Sequence, residues 1–142
     1  MTDPEIINKH LENLEQQVRL LRSLEQRSFE EFATDELAVA AAEHSIQLAA
    51  QNLLDIGAHI LADFGEASWD EYRDIPAELS KHNIVSEPFA EQAARLAGMR
   101  NILVHLYDEV DVRKVYEVIQ NHLDTFDQFA RFIKTYLERS QE

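Results

Sequence analysis

Between residues 112 and 137 apolar side chains return every three or four positions without a miss: Val112, Tyr116, Ile119, Leu123, Phe126, Ala130, Ile133 and Leu137. Steps that alternate four and three keep all of them on one side of an α-helix, because a turn takes about 3.6 residues. So regular a stripe predicts one long helix, starting at Asp111 and packed within a bundle. The other end of the chain reads the same way. Ile7, Leu11, Leu14, Val18 and Leu21 form a second stripe. Asp3 is placed to cap it, Pro4 occupies the first helical position, and Thr2 and Glu5 have capping-box spacing.

Three more helices fit between these two. The second starts at the cap Thr34, where Asp35 and Glu36 suit the positive end of the helix dipole, and runs through an alanine-rich stretch to about Phe64. Gly65 can end it. A third, shorter helix follows Ser68, with Glu71 three residues on; Pro76 should kink or divide it, and Asn83 is a stop. The fourth starts near Ser86, with Pro88 in its first turn, and carries Phe89, Ala93, Leu96, Met99, Ile102 and Leu103. With only 3 Gly and 3 Pro in 142 residues, long helices are favoured over a sheet with many turns. The expectation is an all-α chain forming a single domain, residues 1–142. It has about five helices, an up-and-down four-helix core plus a short one.

The chain has no cysteine, which excludes a disulfide scaffold, a thiolate zinc site and a cysteine nucleophile, and fits a reducing cytoplasm. No apolar run approaches the ~20 residues that span a bilayer. Residues 1–5 carry no basic region of a signal peptide. A cytoplasmic protein with no membrane partner is expected. The net charge is −14, and residues 34–91 hold twelve acids against Arg73 and Lys81. A broad field of that sign repels nucleic acid. Any RNA site must therefore be local, built from a few arginines. The same charge equally describes a soluble acidic domain, or one awaiting a basic partner.

Two polar groups stand out. His44, Gln47, Gln51, Asp55 and His59 fall near one face of the second helix. Spacing alone makes this a solvated face; the functional reading is a wet cleft or a subunit contact. Asp55 and His59, four apart, can pair. As metal ligands they are weak: the chain holds no Glu-x-x-His and no H-E-x-x-H. The second group is Arg100, Asn101, His105 and Tyr107. Arg100 and Tyr107 share a helical face, as do Asn101 and His105. Arg100 and His105 are roughly 140° apart. They converge if the long arginine reaches round, or if two copies of the segment meet across a two-fold axis.

Arg100, four residues, His105, one residue and Tyr107 spell R-x4-H-x-Y, and here the chain resembles the HepT-like HEPN toxins. The likeness extends over residues 96–105 and over Leu53-Leu54-Asp55-Ile56-Gly57-Ala58-His59-Ile60. Ala42-Glu43 and Ile46-Gln47 resemble the lead-in, although His44 stands where many such proteins carry arginine. Pro76 is a second departure. The resemblance implies a HEPN-type helical bundle and a metal-independent endoribonuclease that needs no cofactor and acts as a homodimer. Arg100 and His105 would be catalytic, and Asn101, Asp55, His59 and Gln51 would line the cleft or orient the substrate. It also implies a partner, an MNT nucleotidyltransferase antitoxin that transfers AMP to the motif tyrosine, here Tyr107. A HEPN-fold binding module without activity is the competing expectation. A bundle with an unrelated role would make the motif coincidence.

Overall fold

The computed structural model describes residues 3–65, 74–105 and 111–140, with side chains at 3–65, 74–98 and 111–140. Seven helices are found among them: α1 Pro4–Arg22, α2 Phe29–Ala33, α3 Glu36–Asp63, α4 Ile75–Lys81, α5 Glu87–His105, α6 Val112–Asn121 and α7 Leu123–Ser140. The four long ones, α1, α3, α5 and α7, form the expected up-and-down core.

Side-chain contacts fix the directions of the core helices. The end of α1 meets the start of α7 through Arg22, which bonds Asp124 at 3.1 Å and Asp127 at 2.5 Å. Lys134 bonds Glu15 lower on the same pair. Thus α1 and α7 are antiparallel. Phe64, just after α3, stacks on His82, just after α4, with ring centroids 4.2 Å apart. Since α5 follows α4 directly, it begins at the far end of α3. It ends six residues before α6, whose Tyr116 hydroxyl donates to the Arg27 carbonyl at 2.6 Å, next to α2. So α5 also runs antiparallel to α3. Phe89 on α5 packs against Phe129 and Phe132 on α7, closing the ring. Ile7, Leu14, Leu21, Ile46, Leu54, Phe126 and Phe129 are fully buried inside it. Each such side chain is worth roughly 1.5–3 kcal/mol over exposure.

The helix count exceeds the expected five for two local reasons. Ser28 and Glu31 form a complete capping box, with the Ser28 hydroxyl accepting from the Glu31 amide at 3.1 Å and the Glu31 carboxylate accepting from the Ser28 amide at 3.2 Å. They start the short α2, and Thr34, expected to open the next helix, ends this one. The cap of α3 is Asp35, one residue later, which accepts from the Ala38 amide at 3.1 Å. Arg27, at 2.8 Å, and then that cap bond hold the Asp35 carboxyl below the usual carboxylate range. The second reason is a break at His122, whose φ of −124° leaves the helical region although the apolar period runs straight through it. The break lets one stripe serve two neighbours. α6 is pinned over α2 by Tyr116 and by Gln120, which donates to the Glu25 carbonyl at 2.8 Å, while α7 lies against α1 and α5.

Pro76 stands where α4 begins, at Ile75. It sits in the first turn of α4, where a missing N–H costs nothing. The Ser68 start expected for that helix lies outside the described residues. Asn83 does act as the stop, with a positive φ of 60°, and the Ile84 amide closes back on the Leu79 carbonyl at 3.0 Å.

Gly57 sets how closely α4 approaches α3. A β-carbon there would lie 2.4 Å from Ile75 Cγ2 and 3.2 Å from Leu79 Cδ1. Both Ile75 and Leu79 are fully buried, so neither can swing away. Gly57→Ala gains about 1 kcal/mol of helix propensity but overpacks by roughly 1–3 kcal/mol. A net loss of about 1 kcal/mol is expected, lowering Tm by roughly 4 °C. Adding Ile75→Leu, which removes the branched methyl at the point of closest approach, should restore most of it; thermal unfolding of the double-mutant cycle checks this.

Candidate active site

The motif segment lies at the C-terminal end of α5. The helix is anchored at its start, where the Ser86 hydroxyl accepts from the Phe89 amide at 3.3 Å, and along its length by buried Phe89, Ala93, Leu96 and Ala97. Its helical backbone continues through Arg100, Asn101 and His105, and His105 is its last residue. The roughly 140° between Arg100 and His105 that helical spacing implies therefore applies. The side chains of Arg100, Asn101 and His105, and the whole of Tyr107, lie outside the described residues.

The face expected to join them comes from α3. His44, Gln47, Gln51, Asp55 and His59 span about 22 Å along that helix at 1.5 Å per residue. They cannot all border one cluster of side chains. Because α5 runs antiparallel to α3, His44 and Gln47 lie toward the end where α5 stops, and Asp55 and His59 toward the end where it begins. Asp55 and His59 do not pair. The Asp55 carboxylate accepts from Gln51 Nε2 at 2.7 Å, an i to i+4 bond that holds both side chains half-buried. His59 Nε2 accepts from the Asp3 backbone amide at 3.3 Å, so the imidazole ties the start of α1 to α3.

A third polar group emerges only once the helices are packed. His10 Nδ1 donates to Asn52 Oδ1 at 3.0 Å, and Asn52 Nδ2 donates to Asn13 Oδ1 at 2.6 Å. Asn52 is 8% exposed, so it is satisfied only through these bonds across the α1–α3 contact. A faint signal for it exists in the sequence: His10, Asn13 and Gln17 recur at three and four on α1, beside the apolar stripe.

Several of the cations are bound to carboxylates. Arg22 is held charged by Asp127 first, then by Asp124 and Glu25, which push its pKa further up. Arg27 pairs with Asp35, Lys81 with Glu78 and Lys134 with Glu15. Glu43, on the half of α3 toward which α5 ends, behaves differently: burial alone pushes its carboxyl up. Among the described residues no group of three His, Cys, Asp or Glu side chains is gathered as a metal ion would require. No helix of the described residues is long and apolar enough to cross a membrane.

Comparison with known proteins places this arrangement in context. The family described as ribonuclease HepT-like matches residues 7–133. A tRNA nuclease HepT from Aphanizomenon flos-aquae is 31% identical over 142 residues, covering 99% of this chain and 95% of its own. An mRNA nuclease HepT from Shewanella oneidensis is 31% identical over 90 residues, covering 63% of this chain and 68% of its own. The solved structure of a tri-AMPylated Shewanella oneidensis HEPN toxin in complex with MNT antitoxin superposes with a TM-score of 0.84 at 24% identity, covering 94% of this chain and 99% of that one.

The raised carboxyl of Glu43 gives a signed expectation. Its folded pKa lies above the unfolded one, so its contribution is most favourable at low pH and is lost as pH rises through the folded value. Glu43→Gln should therefore be more stable than wild type at pH 7, and the gap should close as pH falls below the raised value. Denaturant unfolding of both proteins between pH 4 and pH 7 measures it; a gap that is constant with pH defeats this account.

Proposed function

Since this chain belongs to the HepT-like ribonuclease family, we propose that it is the toxin of a toxin–antitoxin pair. In this reading it cleaves RNA as a metal-independent endonuclease, at a composite site formed by two copies of the α5 terminus. The observation that carries the reading is the intact R-x4-H-x-Y series, Arg100, His105 and Tyr107, whose arginine and histidine stand in the last turns of α5. It sits in a chain that aligns along nearly its whole length with a tRNA nuclease.

The chemistry follows from the residue types. One His105 imidazole takes the proton of the RNA 2′-hydroxyl as that oxygen attacks the adjacent phosphorus. The bond to the 5′-oxygen breaks, and that oxygen receives a proton from imidazolium. The products are a 2′,3′-cyclic phosphate and a 5′-hydroxyl. Arg100 binds the phosphate and stabilises the charge that builds on its oxygens in the transition state. Asn101 orients His105 or binds substrate, with Gln51, Asp55 and His59 further along the cleft. A homodimer resolves the angular separation of Arg100 and His105, because each protomer then supplies the group the other's helix turns away.

The partner is an MNT nucleotidyltransferase antitoxin, and its target is Tyr107. AMP attached there, seven residues on from Arg100 in the motif, adds bulk and negative charge that neutralise the arginine and obstruct the phosphate. The strong acidity of the chain supports a second reading, an inactive module that binds the nucleotidyltransferase.

RNA cleavage in excess EDTA separates the two. Wild-type protein, with Tyr107 shown unmodified by intact mass, should cut, and His105→Ala should cut roughly 10²–10⁴-fold more slowly. If neither protein cuts a broad set of RNAs, the binding module is the better account. Coexpression with the antitoxin should add AMP to Tyr107 and abolish cleavage. Full inhibition with Tyr107 unmodified would instead mean steric blocking.

A further inference from the structure

Arg22, Arg27, Lys81 and Lys134 are neutralised by neighbouring carboxylates, but two arginines that share a groove are not. Arg131 and Arg139 line one open groove of about 670 Å³, between the α4–α5 turn and the outer face of α7. Neither forms an ion pair or hydrogen bond with another described residue. Their spacing on α7, with Thr135 midway, is i, i+4, i+8, so all three project along one line. Gln128 extends the row, and Ser86 faces it from the start of α5. The floor includes half-buried Phe132.

In a chain of net charge −14, two unpaired guanidinium groups on a single groove are a departure from the general field. Free arginines flanked by neutral Gln, Thr and Ser donors are the set that binds phosphate oxygens. An aromatic ring beside them offers a surface for a base or ribose. An acidic protein surface would also meet the arginines, but it has no use for a row of neutral donors and a ring at the same place. We infer that the groove between the α4–α5 turn and α7 is an RNA-backbone site, distinct from the cleavage site, which holds the substrate by phosphates remote from the cut.

This rests on the ribonuclease reading and extends it. Ser86 and His105 bracket the 19 residues of α5, about 28 Å at 1.5 Å per residue. The groove and the motif therefore touch different nucleotides of one substrate. An acidic protein gains from such a remote anchor, because counterion release at the groove adds affinity without altering the chemical step.

The test is salt-dependent binding. The probe is a labelled RNA carrying 2′-O-methyl groups throughout, which cannot be cleaved by its own 2′-oxygens, and which is long enough to span α5. Full-length wild type is compared with Arg131→Gln/Arg139→Gln by fluorescence anisotropy over a range of salt. The double variant should bind about tenfold more weakly at physiological salt. Its slope of log K against log salt should be shallower by about 1.4, roughly 0.7 for each phosphate that an arginine no longer neutralises. Arg131→Lys/Arg139→Lys should keep most of the slope, and circular dichroism verifies that all three proteins fold. Unchanged affinity and slope in the glutamine variant overturn the proposal. So does intact RNA binding with loss of a coexpressed nucleotidyltransferase, which would assign the groove to the protein partner. If the slope falls as expected but wild type cuts no RNA, the groove stands and the ribonuclease reading fails. If RNA is cut but the slope does not move, the groove alone fails.

Discussion

The fold depends on one helix being covered from several sides. α3 is 28 residues long, about 42 Å at 1.5 Å per residue, and the other long helices all lie against it. A helix in that position has to bury apolar residues around much of its circumference. α3 does so with Ile46, Leu53, Leu54, Ile56, Ile60 and Leu61, and with small residues, Ala42, Ala49 and Gly57, where neighbours come close. Its polar residues are then confined to what is left. Asn52 is inside, satisfied by His10 and Asn13, while Gln51, Asp55 and His59 keep one edge half open to water. The polar stripe is the seam that remains after α1, α4 and α5 have been seated.

Charge is handled in the same economical way. Carboxylates are matched by arginines and lysines drawn from distant parts of the chain, as in Arg22 with Asp124 and Asp127 or Lys134 with Glu15. Each exposed pair contributes little to stability, commonly less than 1 kcal/mol. Their effect is on the surface field. Cations used this way no longer attract polyanions, so affinity for RNA is left to those that remain unpaired.

α1, α6 and α7 were legible because each buries one continuous stripe whose period follows from helix geometry, whereas α3, buried on several sides, was legible from its N-terminal cap, its alanine-rich run and the glycine after it. The division at His122 was not, because Ile119 and Leu123 keep the spacing across it and the change of neighbour leaves no mark on the period. The short α2 has too few residues to show any period, although Ser28 and Glu31 announced its start. At the candidate site the motif on α5 could be read letter by letter, since Arg, His and Tyr at that spacing are uncommon together. What spacing could not reveal was direction along α3. Asp55 and His59 are four apart and look like partners, yet each has a better one, Gln51 and the Asp3 amide, supplied by rotamer choice and by the path of the N-terminus. The His10–Asn52–Asn13 cluster escapes the sequence for a related reason: residues flanking an apolar stripe read as solvated until the neighbouring helix is in place.

The order in which such a bundle can be built also matters. The bonds from Arg22 to Asp124 and Asp127 join residues more than a hundred positions apart, and Phe89 finds its aromatic neighbours on α7. The ring of helices therefore closes only once α7 has been made. Until then one side of α1 lacks its α7 neighbour, and Phe89 at the base of the motif helix lacks its aromatic partners Phe129 and Phe132. The seating of α5, and with it the placement of the residues at its far end, is thus completed by the helix that closes the ring.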